Sequence, residues 1–89
     1  MKVTIEISLY PLQEKYKKPI KAFIKSLHTH KEINVHTTAM STYITGRYDD
    51  AMHILTKRLK TVYKEIPKSA TVIKVIPMEL DVNQGFMKF

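Results

Sequence analysis

The first ten residues place the tightest constraint on the fold. Val3, Ile5, Ile7 and Leu9 alternate with Lys2, Thr4, Glu6, Ser8 and Tyr10. A period of two puts the first set on one face of a strand and the second set on the other. Pro11 has no N–H to offer a ladder, so the strand is expected to end there. A chain that opens this way must cover one face with apolar material. It must also leave Glu6, Ser8 and Tyr10 together on the other face, either as solvated decoration or as the floor of a binding site.

The cover comes from two later segments. Ile20, Phe23, Ile24 and Leu27 are spaced i, i+3, i+4, i+7 and form one helical stripe. Pro19 suits the first turn of that helix. Lys17, Lys18, Lys21 and Lys25 project away from the stripe, while His28, His30 and Lys31 bring positive charge to its C-terminal end. A second helix carries Met52, Leu55, Leu59, Val62 and Ile66 on one side, with His53, Lys57, Lys60 and Lys64 opposite, and Pro67 ends it. Between the helices, INVHTTAMSTYITGR (residues 33–47) is rich in β-branched residues and too long for one strand. It splits into a hairpin near Ala39-Met40. Gly46 closes its second strand, and Asp49 or Asp50 is placed to cap the helix that follows. A last β-rich run, ATVIKVI (70–76), is either stopped by Pro77 or placed by it on a sheet edge.

The order strand, helix, strand, strand, helix, strand predicts an α+β ferredoxin-like sandwich. A four-stranded antiparallel sheet carries both helices on the face of Val3, Ile5, Ile7 and Leu9. The domain is expected over residues 1–80, with 81–89 as a C-terminal tail that has no clear period.

Composition removes several kinds of function. Without cysteine there is no disulfide, no zinc–thiolate site and no thiol nucleophile. Two glycines cannot build a Gly-rich phosphate loop. An acylphosphatase-like enzyme on this topology is not supported, because PLQEKYKK after the first strand has no arginine to cradle a phosphate and no nucleophile–base pair is evident. His28 and His30 diverge on a helix and His36 has no nearby carboxylate in sequence, so no metal site is expected. The net charge of +7 permits an RNA-binding module with a basic surface, which is the alternative reading. STYITGR does not match the aromatic pattern of RNA-recognition strands, so nucleic acid is not the expected partner. No apolar run approaches the roughly 20 residues that span a bilayer, and MKVTIEIS lacks an apolar signal core. No membrane insertion is expected, and the cytoplasm is the expected compartment.

The motifs also resemble a known family. SLYPL (8–12), a helix containing FIKSL (23–27), then STYITG (41–46) and Asp49 occur in the order seen in one repeat of YkoF-type thiamine- and hydroxymethylpyrimidine-binding proteins. The resemblance spans roughly residues 5–66. Single-domain thiamine-binding proteins are similar too, with a Glu-x-Ser on the first strand that Glu6 and Ser8 match. The resemblance implies a non-catalytic binding protein for thiamine or its hydroxymethylpyrimidine moiety, with the ligand near the sheet and no cofactor. It carries over Ser8, Tyr10, Ser41, Thr42 and Asp49. A pyrimidine needs an aromatic wall and a few directed hydrogen bonds, and Tyr10, Ser8, Thr42 and Tyr43 supply those groups.

Glu6 has two readings. It is either a surface carboxylate paired with a neighbouring strand's lysine or histidine, or the partner of a thiazolium or aminopyrimidine. Asp49 is more simply a helix cap. YkoF-type chains hold two repeats and this chain holds one, which implies a homodimer or higher homo-oligomer. For Phe86, Met87 and Phe89 two readings stay open, packing across that interface or a disordered end. One tension follows from charge, since a basic protein repels a cationic ligand at long range. Screening limits this beyond about 10 Å, so a local carboxylate must outweigh it or the neutral pyrimidine must dominate.

Overall fold

A computed structural model describes residues 1–82; Phe86, Met87 and Phe89 lie outside the described residues. The elements are β1 (Lys2–Pro11), α1 (Lys17–His28), β2 (Ile33–Thr37), β3 (Thr42–Arg47), α2 (Tyr48–Glu65) and β4 (Ser69–Ile76). The strands form one antiparallel sheet in the order β2-β3-β1-β4, so this is the ferredoxin-like α+β architecture. β1 lies inside the sheet, paired with β3 from Lys2↔Arg47 to Ile7↔Thr42 and with β4 from Thr4↔Ile76 to Pro11↔Ser69.

Pro11 is part of the strand, one residue beyond the expected stop. The Leu12 N–H donates to the Lys68 carbonyl at 2.9 Å, which turns even-numbered residues of β1 toward β4. The Pro11 nitrogen therefore faces the opposite edge. β3 has already ended there, at Thr42 opposite Ile7, so the missing N–H leaves no ladder bond unmade.

The hairpin between β2 and β3 turns where the sequence indicated, without an Asn-Gly pair. Thr38 replaces that signal. Its hydroxyl accepts from the Met40 and Ser41 backbone N–H groups, each at 3.2 Å, and its own N–H donates to the Ser41 carbonyl at 2.9 Å. A threonine side chain here substitutes for a backbone turn bond. Gly46 then allows β3 to pass close to β2. A Cβ at this position would sit 3.1 Å from the Glu32 carbonyl oxygen and 3.3 Å from Ile33 Cγ2.

The second helix starts differently from expectation. Neither Asp49 nor Asp50 caps it. The N-cap is Arg47, with no side-chain cap bond, and both aspartates fall in the first turn, where they complement the helix dipole. β3 runs into α2 without a loop, and the Tyr48 N–H is satisfied by the Met1 carbonyl at 2.8 Å.

The core is the odd-numbered face of β1 and what covers it. Val3, Ile5 and Ile7 are fully or almost fully buried, with Ile44 beside them and Phe23, Leu27, Ile54, Leu55 and Leu59 above. α2 is also tied to the turn that follows α1, since Arg58 Nε donates to His30 Nε2 at 3.0 Å. The helices leave the apolar residues of β4 partly uncovered. Val75 and Ile73 stand opposite Ile5 and Ile7 on the same face, yet they are 44% and 39% exposed. The Tyr63 hydroxyl, 2.6 Å from Thr71 Oγ1, is a polar link at that margin.

The packing at Gly46 yields a test. Gly46→Ala is expected to lower unfolding free energy by about 1 kcal/mol or more, because the closer neighbour is backbone in a paired strand. Denaturant titration checks this; an unchanged midpoint would show that β2 yields freely.

Candidate functional site

Strand register decides which side chains meet on the face away from the helices. Pairing across β2, β3, β1 and β4 sets His36, Tyr43, Glu6 and Lys74 in one row. The next row toward the start of β1 holds Asn34, Thr45, Thr4 and Ile76. In the other direction Ser8 stands opposite Val72, and Tyr10 opposite Ala70. Tyr10 is 51% exposed, and so small a neighbour as Ala70 leaves its ring open.

Glu6 is the electrostatic centre of this face. The Tyr43 hydroxyl donates to its carboxylate, the Ser41 hydroxyl donates to Oε2 at 3.2 Å, and Lys74 Nζ lies 3.5 Å from Oε1. The Tyr43 bond is the largest influence and lowers the Glu6 pKa. Partial desolvation opposes it, and Ser41 and Lys74 add to the lowering. The net result is a carboxylate held below its ordinary range.

Of the seven residues expected from the sequence, Glu6, Ser8, Tyr10, Ser41 and Tyr43 come together here. Thr42 does not. It faces the helices and is buried, with its hydroxyl 3.2 Å from Thr37 Oγ1. Alternation explains this, since neighbours on a strand point to opposite sides. Ser41 escapes the parity rule because it precedes β3, at the end of the turn. Asp49 lies in the first turn of α2 and is also away from the group. Lys74, His36 and Asn34 were not singled out from the sequence as members of this face. A lone lysine inside the apolar run ATVIKVI was the available signal for Lys74.

The chain beyond β4 folds back over one end of this face. The Met78 N–H bonds to the Ile76 carbonyl at 2.8 Å. The buried Thr4 hydroxyl donates to the Met78 carbonyl at 2.9 Å and accepts from the Leu80 N–H at 2.8 Å. This strap and the sheet enclose a cleft of about 590 Å³ lined by Asn34, Val35, His36, Thr45 and residues 79–82. Among the described residues no group of three or more His, Asp or Glu could hold a metal ion. No described helix is long and apolar enough to cross a membrane.

Known proteins extend the picture. The fold is shared with a protein from Streptococcus pneumoniae at a TM-score of 0.82, 24% identity and 90% coverage of both chains. It is also shared with a candidate thiamine biosynthesis/salvage protein from Thermotoga maritima, at 0.76 and 14%, covering 84% of this chain and 82% of that one. A hypothetical protein from Methanocaldococcus jannascii superimposes at 0.75 with 23% identity over 94% and 88% of the two chains. A comparison with curated proteins finds no match. A family model described as "Thiamine-binding protein" matches residues 5–79, which takes in the Glu6 row and Glu79 but not Thr4 or the strap residues 80–82. By that match, the chain belongs to the thiamine-binding protein family.

Proposed function

We propose that the open sheet face binds thiamine or its hydroxymethylpyrimidine moiety and does no chemistry on it. The observation that carries this reading is Glu6, an ionised carboxylate held among Tyr43, Ser41 and Lys74 beside the open ring of Tyr10. An exocyclic amine or a thiazolium finds its acceptor in Glu6, ring nitrogens find donors in the serine hydroxyls, and the tyrosines supply the wall. Lys74 does not block the carboxylate. Its side chain is 74% exposed, and an exposed pair of this kind is worth at most about 1 kcal/mol, so a better-placed donor displaces it. Binding without catalysis accords with the family's description.

The same reading makes the protein a homodimer or higher homo-oligomer. β4 is a sheet edge eight residues long, and even-numbered residues turn their backbone groups toward β1. The N–H and C=O groups of Thr71, Ile73 and Val75 therefore point outward. Both faces of the strand are apolar and open, with Val72 53% and Ile76 39% exposed on one side and Val75 44% exposed on the other. Such an edge is a template for another strand. Two copies pairing antiparallel about Ile73 set Thr71 opposite Val75 and Lys74 opposite Val72. Centring one residue later would place two lysines face to face, which is unfavourable.

Three measurements test this reading. Thiamine or hydroxymethylpyrimidine at 100 times its dissociation constant should stabilise the fold by about 2.7 kcal/mol. A thermal scan with no shift at millimolar ligand counts heavily against the site. Tyr10→Ala should weaken binding far more than it weakens folding; equal losses would mean Tyr10 is structural. Light scattering at micromolar concentration should give at least twice the 10.4 kDa chain mass, and Ile73→Lys should reduce it. A clean monomer mass for the unmodified chain refutes the assembly.

Glu6 also predicts a pH dependence. Its pKa is lower in the folded protein than in the unfolded chain. Its contribution to stability is therefore fully present above the ordinary glutamate value of about 4.3 and is lost as pH falls through the lower folded value. Acid unfolding curves of the wild type and Glu6→Gln should differ by a constant amount at neutral pH and converge as pH falls below the ordinary glutamate value and through the lower folded one. A gap that persists at low pH would show that Glu6 acts through packing and not through charge.

A further inference from the structure

We propose that the strap over the open face is the cation-binding end of the ligand site, and that Glu79 is the residue that distinguishes thiamine from the neutral pyrimidine. This deepens the reading above and rests on it.

The strap is held firmly at one point. The Thr4 side chain is 3% exposed and uses both its donor and its acceptor on the strap backbone, at Met78 and at Leu80. These two bonds flank Glu79 and fix its backbone over the sheet. A hydroxyl that spends both functions on one segment pins it at two points. Glu79 then lines the cleft opposite Asn34, His36 and Thr45. At about 590 Å³ the cleft is of the size that small heteroaromatic molecules occupy.

The cleft adjoins the Glu6 row. His36 is the cross-strand neighbour of Tyr43, and Tyr43 holds Glu6. Alternate residues along a strand are about 7 Å apart, so the strap row begins one such step from the Glu6 row. A ligand made of two rings joined through a single carbon spans that step. Its pyrimidine then sits by Glu6, Ser8 and Tyr10, and its thiazolium enters the cleft, with the hydroxyethyl group within reach of Asn34 and His36.

Charge gives the direction. The chain has 8 acidic residues against 15 basic ones, yet Glu6, Glu79 and Asp81 all belong to this face. Lys74 pairs with Glu6 in the free protein, while Glu79 has no ion pair among the described residues. Lys2 and Arg47, paired across the sheet one row further out, would repel a cation placed beyond the strap. The cationic ring is therefore favoured beneath Glu79 and not past it. In a protein that repels cations at a distance, a close carboxylate in a partly enclosed cleft is the means of retaining one.

Calorimetric titration of the full chain with thiamine and with hydroxymethylpyrimidine tests the inference. Glu79→Gln should weaken thiamine by about tenfold and leave hydroxymethylpyrimidine within about twofold. Added salt should weaken thiamine binding to the wild type more than to Glu79→Gln. If wild type binds both ligands and Glu79→Gln changes neither, or changes both equally, the inference is overturned and the site on the open face stands. If wild type binds neither ligand, the proposed function fails, and the inference fails with it.

Discussion

Everything in this molecule hangs on β1 being paired along both edges while its two faces have opposite chemistry. Val3, Ile5, Ile7 and Leu9 lose their exposure to the helices, and burial of four such side chains contributes several kcal/mol in aggregate. A slip of one residue would turn all four to water and drive Glu6 into the core. The hydrophobic face thus fixes the position of the polar one. Glu6 is placed opposite Tyr43 on one neighbour and Lys74 on the other because Ile5 and Ile7 must point the other way. The site costs no special backbone geometry, since it is the obligatory reverse side of the core.

That coupling explains how a strongly basic chain can present an acidic centre. Most lysines lie on the outer sides of the helices, where they are solvated and screened. On the open face the Glu6 carboxylate lies within hydrogen-bond range of hydroxyl donors, and donors matter more than net charge at these distances. Glu6 remains ionised chiefly because Tyr43 and Ser41 donate to it, with Lys74 as a smaller influence. Of the two readings of Glu6 open at the sequence level, the structure shows the paired surface carboxylate, and the ligand partner is the proposal. Lys74 occupies it in the free protein, and an exposed lysine is a weak competitor.

Much of the fold was legible because period and punctuation agreed. Alternation marked β1, the seven-residue stripe marked α1, and Pro67 and Pro77 bracketed β4. The helix start at Tyr48 was less legible. Asp49 and Asp50 looked like caps, but β3 feeds directly into α2, and no residue was left free to be an Asx cap. Within the site, Glu6, Ser8 and Tyr10 could be read together because one strand carries them all. Thr42, carried over from the resemblance, lies on the helix side because strand parity depends on where β3 begins, and Thr38, whose hydroxyl closes the turn, carried no familiar signal. Lys74, His36 and Asn34 could be found only through register, which is a long-range property. The strap was invisible for the same reason, as its anchor is Thr4, more than seventy residues away.

β4 shows what two helices cannot do. In a four-stranded sheet they lie over β1, β3 and β2, and the far edge strand keeps apolar residues exposed on both sides. A solitary domain would normally protect such an edge with charge, proline or a bulge. Here Lys74 is the single charge in the strand, and it is turned inward to Glu6 on the open face. Pro77 and Lys68 stand only at the ends. The apolar residues of β4 are the ones that a monomer has least reason to keep, and the proposed pairing with a second copy would give them one. The lysine that would have guarded the edge is thus drawn to Glu6, so the arrangement that leaves β4 open to a partner is also the one that completes the carboxylate's surroundings.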